Sequence, residues 1–136
     1  SGYLNELKKL CEDLGIKRHV TFAGAQSPEA VKTCYRNADV FVYPSLYENF
    51  GQPILEAAAA GLAIISTNVG IAKEIIRDGE NGFIVDGDPE VIKDRMEALA
   101  ALQSRTTFGK RIQEKVRKDL AWDRIIQRYA EIYRSL

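Results

Sequence analysis

Apolar positions along this chain recur with a helical period in some stretches and run almost unbroken in others, and the two patterns alternate. Leu4, Leu7, Leu10, Cys11 and Leu14 fall at helical spacing, and Gly15 stands where such a helix would end. Val20-Thr21-Phe22-Ala23 predicts a short strand closed by Gly24. Ser27-Pro28-Glu29 is a helix start, with a capping hydroxyl, a proline at the first position and an acid in the first turn. The helix that follows is expected to bury Val31, Cys34, Tyr35 and Ala38. Asp39-Val40-Phe41-Val42-Tyr43 is nearly all apolar, as a strand covered on both faces should be. An alanine-rich helix runs from Pro53 to Ala60 and stops at Gly61. Ala63-Ile64-Ile65-Ser66 is a further strand, and Gly70 opens a loop into a short helix from Lys73 to Arg77. Asp78-Gly79-Glu80-Asn81-Gly82 is dense turn chemistry before the strand Phe83-Ile84-Val85. Asp88-Pro89-Glu90 starts a helix with apolar Val91, Met96, Leu99 and Leu102. The remainder reads as helical. Phe108, Ile112 and Val116 make one stripe, and Trp122, Ile125, Ile126, Tyr129, Ile132 and Tyr133 make another.

Strands and helices alternate throughout, and each crossover is long enough for a parallel sheet. The expectation is an α/β fold: a Rossmann-like, doubly wound parallel sheet with four readable strands and helices on both faces. Ala57, Ala58, Ala59 and Ala60 read as a small-residue face that lets their helix approach the sheet closely and so fixes where its N-terminus points.

Composition narrows the classes. The chain has 136 residues, 46% of them hydrophobic, which is one domain's worth of core with no internal linker. Nineteen basic and nineteen acidic residues balance, so no footprint for nucleic acid or an acidic membrane emerges. No apolar run approaches the roughly 20 residues of a membrane span. Neither a signal peptide nor a targeting tail is visible. Cys11 and Cys34 lie on the apolar sides of predicted helices and suit reduced, buried thiols, hence a cytoplasmic protein. His19, the single histidine, reads as a surface residue, and no metal cluster, Cys-His pair or Ser-His-Asp set is present.

The informative block is Glu48-Asn49-Phe50-Gly51-Gln52-Pro53-Ile54-Leu55-Glu56, which joins a strand to a helix start. A helix start offers free N–H groups and the positive end of the dipole, suited to phosphate. Carboxylates suit the hydroxyls of a sugar or ribose. Open α/β sheets bind ligands at this end of their strands, so the block reads as a nucleotide-sugar pocket. The plainer alternative is that Glu56 is an ordinary first-turn acid and Pro53 an ordinary first-position proline.

Taken in order, Val20-Thr21-Phe22-Ala23-Gly24, Ala38-Asp39-Val40-Phe41-Val42-Tyr43-Pro44-Ser45, the Glu48 to Glu56 block with Ala57, Asp78-Gly79-Glu80-Asn81-Gly82-Phe83 and Trp122 resemble the C-terminal, donor-binding lobe of a GT-B-fold retaining glycosyltransferase of the family-4 type. The resemblance implies that Glu48 lies against the donor sugar's hydroxyls and orients the sugar rather than attacking it. Asn49, Phe50 and Gly51 match the turn whose N–H groups face the sugar and distal phosphate. Glu56 matches the glutamate that accepts from the ribose hydroxyls, and Leu55 lines the same wall. Gly24, Ala25 and Gln26 match the loop that holds the base. No metal and no cofactor are implied; the donor is a UDP-, GDP- or ADP-sugar. Val69-Gly70-Ile71 lacks the family's second loop glycine and receives no ligand role, Tyr43 reads as a packing residue, and Tyr47 stays open as a rim contact.

The resemblance also implies what is not here. The family's lobe has strand order 3-2-1-4-5-6. Residues 1–136 match its strands three to six, as one nucleotide-sugar-binding domain without the first two strands, their basic pair or the acceptor-binding N-terminal lobe. The expectations that follow are an inactive isolated chain, a parent that transfers sugar with retention, and self-association through an unpaired strand edge. The alternative is a non-catalytic nucleotide-binding or assembly module with the same fold.

Overall fold

A computed structural model describes residues 2–135, which fall into two compact units, residues 2–31 and 32–135. In the first, α1 (Gly2–Asp13) is followed by a single 3₁₀ turn, Lys17–His19. Cys11 is the buried residue of α1. His19 is exposed, as expected. α2 (Pro28–Asn37) begins in this unit and ends in the second.

The predicted strand at residues 20–23 does not form. Val20 has extended backbone, φ −118° and ψ 126°, yet the segment joins no ladder among the described residues. Extended geometry is a local preference of Val and Phe, whereas a strand also needs a neighbour for its N–H and C=O groups.

The second unit is a three-stranded parallel sheet, order β1-β2-β3, formed by β1 (Val40–Tyr43), β2 (Ala63–Thr67) and β3 (Phe83–Val85). Val40 pairs with Ala63 and Tyr43 with Ser66; Ile65 pairs with Phe83 and Thr67 with Val85. β2 is buried along its whole length. The sheet therefore has three strands among the described residues, not four.

Helices cover both faces, as predicted. On one, Ile54, Ala57 and Ala58 of α3 (Gln52–Ala60), Ala72 and Ile75 of α4 (Ala72–Ile75), and Ile112 and Val116 of α6 (Leu102–Leu120) pack around Ile64. On the other, Ala63, Ile65 and Val85 meet Leu99, with Val91 and Ile92 of α5 (Pro89–Ala98) and Phe108 of α6 against them. Ala57 and Ala58 are fully buried, so the small-residue face does seat α3 on the sheet; Ala59 and Ala60 face outward.

Several positions differ from expectation. Cys34 and Ala38 are exposed because α2 buries only a narrow stripe, with Val31 and Tyr35 half-buried, and Cys34 lies about 100° around the helix from Tyr35. α4 ends at Ile75 rather than Arg77. Ile76 turns extended, and the Arg77 N–H goes to Asn81 Oδ1 at 2.7 Å instead of a helical carbonyl. Met96 and Leu102 are exposed. α7 (Trp122–Arg134) forms as its periodicity requires, but Trp122, Ile126, Tyr129, Ile132 and Tyr133 stay exposed.

Candidate functional site

Parallel strands bring their C-terminal ends to one edge of the sheet, and the loops leaving β1 and β2 meet there. Residues 44–51 link β1 to α3. Thr67, the last residue of β2, donates its hydroxyl to the Ser45 carbonyl, with the Tyr43 carbonyl a second acceptor at 3.4 Å, tying the start of that loop to the sheet. Ser45 Oγ donates to the Tyr47 carbonyl at 2.8 Å. The loop after β2 docks on the end of the first loop, with the Ile71 N–H donating to the Phe50 carbonyl at 2.7 Å.

Two glycines make this approach possible. Gly51, at the N-cap of α3, has φ 81°. Gly70 has φ +47°, and a Cβ there would lie 2.4 Å from the Phe50 carbonyl oxygen. Both the backbone conformation and the space exclude a side chain at Gly70. Val69-Gly70-Ile71 thus shapes the site through backbone contact with Phe50.

Glu48 sits at the centre of the turn. Its Oε2 accepts from the Tyr43 hydroxyl at 2.6 Å and its Oε1 from the Asn49 N–H at 3.0 Å. The Tyr43 hydrogen bond, aided by the Asn49, Phe50 and Gly51 N–H groups, holds the Glu48 carboxyl below the usual glutamate range. The same bond pushes the Tyr43 phenol up. The turn amides therefore converge on Glu48, a carboxylate at a helix start.

Glu56, one turn into α3, is exposed. Its Oε2 accepts from the Tyr35 hydroxyl of α2 at 3.2 Å, and its Oε1 from Gln52 Nε2 at 3.4 Å. Burial and the neighbouring Glu56 charge raise the Tyr35 phenol to about 12. Neither carboxylate has an ion-pair partner among the described residues. Asn49 and half-exposed Phe50 face outward, with Asn49 Oδ1 accepting from Tyr47 at 2.7 Å, while Leu55 packs partly against the core.

The second unit thus gathers Glu48, Asn49, Phe50, Gly51, Leu55 and Glu56 around one turn. Gly24, Ala25 and Gln26 belong to the first unit, in the bend before α2, where Gly24 has φ +66° and Gln26 Nε2 donates to the Ala23 carbonyl. Sequence reasoning missed the polar roles of Tyr35, Tyr43 and Thr67. The available signal was a tyrosine and a threonine closing β1 and β2, where deeply buried strands otherwise use Val and Ile. Chemically, the site offers two oriented acceptors at the mouth of a helix whose dipole favours a negative group.

Comparison with known proteins gives the family and the fold. The family model "Glycosyl transferases group 1" matches residues 1–119. A D-inositol 3-phosphate glycosyltransferase of Corynebacterium urealyticum is 32% identical over 131 residues, covering 96% of this chain and 31% of that protein. A GDP-mannose-dependent alpha-(1-6)-phosphatidylinositol monomannoside mannosyltransferase of Mycobacterium tuberculosis is 31% identical over 142 residues, covering 98% and 37%. The chain spans about a third of the length of these curated relatives. Among solved structures, sucrose-phosphate synthase of Thermosynechococcus elongatus superposes with TM-score 0.84 and 28% identity, covering 99% of this chain and 34% of that one. Anabaena Alr3699/HepE, solved with UDP and glucose, superposes with TM-score 0.83 and 25% identity, covering 99% and 37%. These matches cover nearly all of the chain and share its parallel sheet and helical layers, and the chain belongs to the group 1 glycosyl transferases, with the Rossmann-like α/β fold of GT-B enzymes.

Proposed function

We propose that this chain is the donor-binding part of a retaining glycosyltransferase of the hexosyltransferase type. The donor would be a nucleotide-sugar such as a UDP-, GDP- or ADP-sugar. The observation that carries this reading is the pair of oriented carboxylates at the mouth of α3, at the C-terminal edge of the sheet. Glu48 accepts from the sugar hydroxyls and orients the ring without acting as nucleophile. Glu56 accepts from the ribose hydroxyls. The Asn49, Phe50 and Gly51 amides turn from Glu48 toward the sugar and distal phosphate when the donor enters, and Leu55 forms the wall. Gly24, Ala25 and Gln26 hold the base. The reaction uses no resident metal or cofactor. The acceptor is supplied from an N-terminal lobe of the parent protein, and the enzyme works in the cytoplasm. Relatives described as GDP-mannose-dependent or solved with UDP and glucose support the donor class.

Titration of the protein with UDP-glucose, GDP-mannose and ADP-glucose tests the reading, with Glu56→Ala as control. One of the three is expected to bind, and the variant to lose about tenfold in affinity, the worth of one charge-assisted hydrogen bond. Absence of binding by all three, or an unaffected variant, would reject it.

A second reading, a nucleotide-binding or assembly module without catalysis, draws support from one observation: neither Glu48 nor Glu56 has an ion-pair partner among the described residues. Donor hydrolysis or transfer by the full-length protein would exclude it.

A further inference from the structure

The two candidate carboxylates are held in the same way. Each takes a tyrosine hydroxyl on one oxygen and an amide N–H on the other: Tyr43 and the Asn49 backbone for Glu48, Tyr35 and the Gln52 side chain for Glu56. The two tyrosines are also joined to each other through a third ring. Phe41 and Tyr43, two apart on β1, share a face of the sheet. Their rings stack with centroids 5.8 Å apart and an interplanar angle of 19°. Tyr35 of α2 meets Phe41 edge-on, also at 5.8 Å, at 66°. All three rings pack against the core formed with α3.

We propose that Tyr35, Phe41 and Tyr43 form an aromatic bracket in which the two tyrosines are positioning residues, Tyr43 for Glu48 and Tyr35 for Glu56, with Phe41 setting their separation. The consequence for donor affinity rests on the donor reading above; the bracket itself does not. The physical case has three parts. Glutamate side chains lose much rotamer freedom when a ligand orders them, so a pre-oriented carboxylate binds more tightly. Tyrosine is well suited to impose that order, being rigid with only two χ angles. A carboxylate oxygen has two lone pairs, so one accepted hydrogen bond leaves an acceptor site for a ligand hydroxyl. The phenols are raised and the Glu48 carboxyl is lowered, so at neutral pH each tyrosine is a donor and Glu48 an acceptor. No lysine, arginine or histidine pairs with either carboxylate among the described residues, so the hydroxyls and amides alone fix them. Tyr35 has one proton and two acceptors, Glu56 at 3.2 Å and the Pro53 carbonyl at 3.5 Å; the shorter, charged partner is favoured.

The test uses Tyr43→Phe and Tyr35→Phe in the full-length protein, changes that keep both rings and remove one hydroxyl each. A carbon-13 titration of the glutamate carboxyls without ligand is expected to move the Glu48 midpoint upward in Tyr43→Phe and leave it in place in Tyr35→Phe. A Glu48 midpoint unmoved by Tyr43→Phe would overturn the bracket, since a merely structural ring would give that result. Affinity for UDP-glucose, GDP-mannose or ADP-glucose, whichever binds the unsubstituted protein, is expected to fall about tenfold in each variant. Affinities within twofold in both variants would also overturn it. A shifted midpoint in a protein that binds none of the three donors would instead support the bracket and reject the donor reading.

Discussion

What a carboxylate can do depends on what already occupies its oxygens. Glu48 is oriented by Tyr43 and by its own turn, and its depressed pKa has a defined sign. The stabilisation it gives is present above the ordinary glutamate pKa and is lost as pH falls through the lower folded value. The part of donor affinity that Glu48 contributes is therefore expected to hold at mildly acidic pH and decline only below the usual carboxylate range, and Tyr43→Phe should move that decline to higher pH. Tyr35 has the opposite sense. Its phenol is raised to about 12, so its contribution is present below about 10 and is lost as pH rises from there through about 12. An alkaline melting series should show a larger loss in the protein than in Tyr35→Phe, which keeps the raised phenol of Tyr43.

Gly70 belongs to the same scale. Alanine there meets the Phe50 carbonyl at 2.4 Å and a φ of +47°, so the turn carrying Asn49 and Gly51 must move. Gly70→Ala is expected to cost donor affinity at least tenfold while Tm falls by only a few degrees, because the strain stays within the two loops at the edge of the sheet. A variant with unchanged affinity would show that the turn's placement does not matter.

Among the elements, α6 packs on both α3 and β2, and one residue decides whether it can. Gly109 lies where a Cβ would be 2.0 Å from the Gly61 carbonyl oxygen. Alanine gains about 1 kcal/mol in helix propensity over glycine. The overpacking costs about 1–3 kcal/mol, or more against rigid backbone, so the clash wins. Gly109→Ala should therefore lower stability in denaturant titration, and a more stable variant would show that α6 can slide away. At the start of β3, buried Asn81 ties the turn together, accepting from the Arg77 N–H at 2.7 Å and donating to the Ile75 carbonyl at 3.0 Å. Asn81→Ala leaves both partners unsatisfied and is expected to cost about 2–3 kcal/mol, read as a lower denaturation midpoint.

At the scale of the whole molecule, the expectation is that the 136 residues alone recognise a donor more readily than they transfer sugar. Departure of a nucleotide needs charge stabilisation at the leaving phosphate, a large term, and the helix dipole with the turn amides provides only part of it. Measurable transfer by the purified chain would refute this. Association is expected too. The outer edge of β1 pairs with no strand among the described residues, and Trp122, Tyr129 and Tyr133 of α7 are at least 60% exposed. Light scattering giving a monomer at all concentrations would remove that expectation.

The amino-acid sequence by itself determined the alternation of elements, the parallel sheet, the helix starts at Pro28 and Pro89, and the candidate carboxylates, because period, caps and turn residues act over a few neighbours. Only the tertiary structure decided which of those preferences were used. Val20 kept its extended backbone but gained no ladder, since hydrogen-bond partners come from elsewhere in the chain. Cys34 and the apolar stripe of α7 kept their helical phase but were left uncovered, since burial needs a facing surface. Tyr35 and Tyr43 read as packing residues in the sequence. Their hydroxyls reach Glu56 and Glu48 across 21 and 5 positions, a relation between elements that no local pattern encodes.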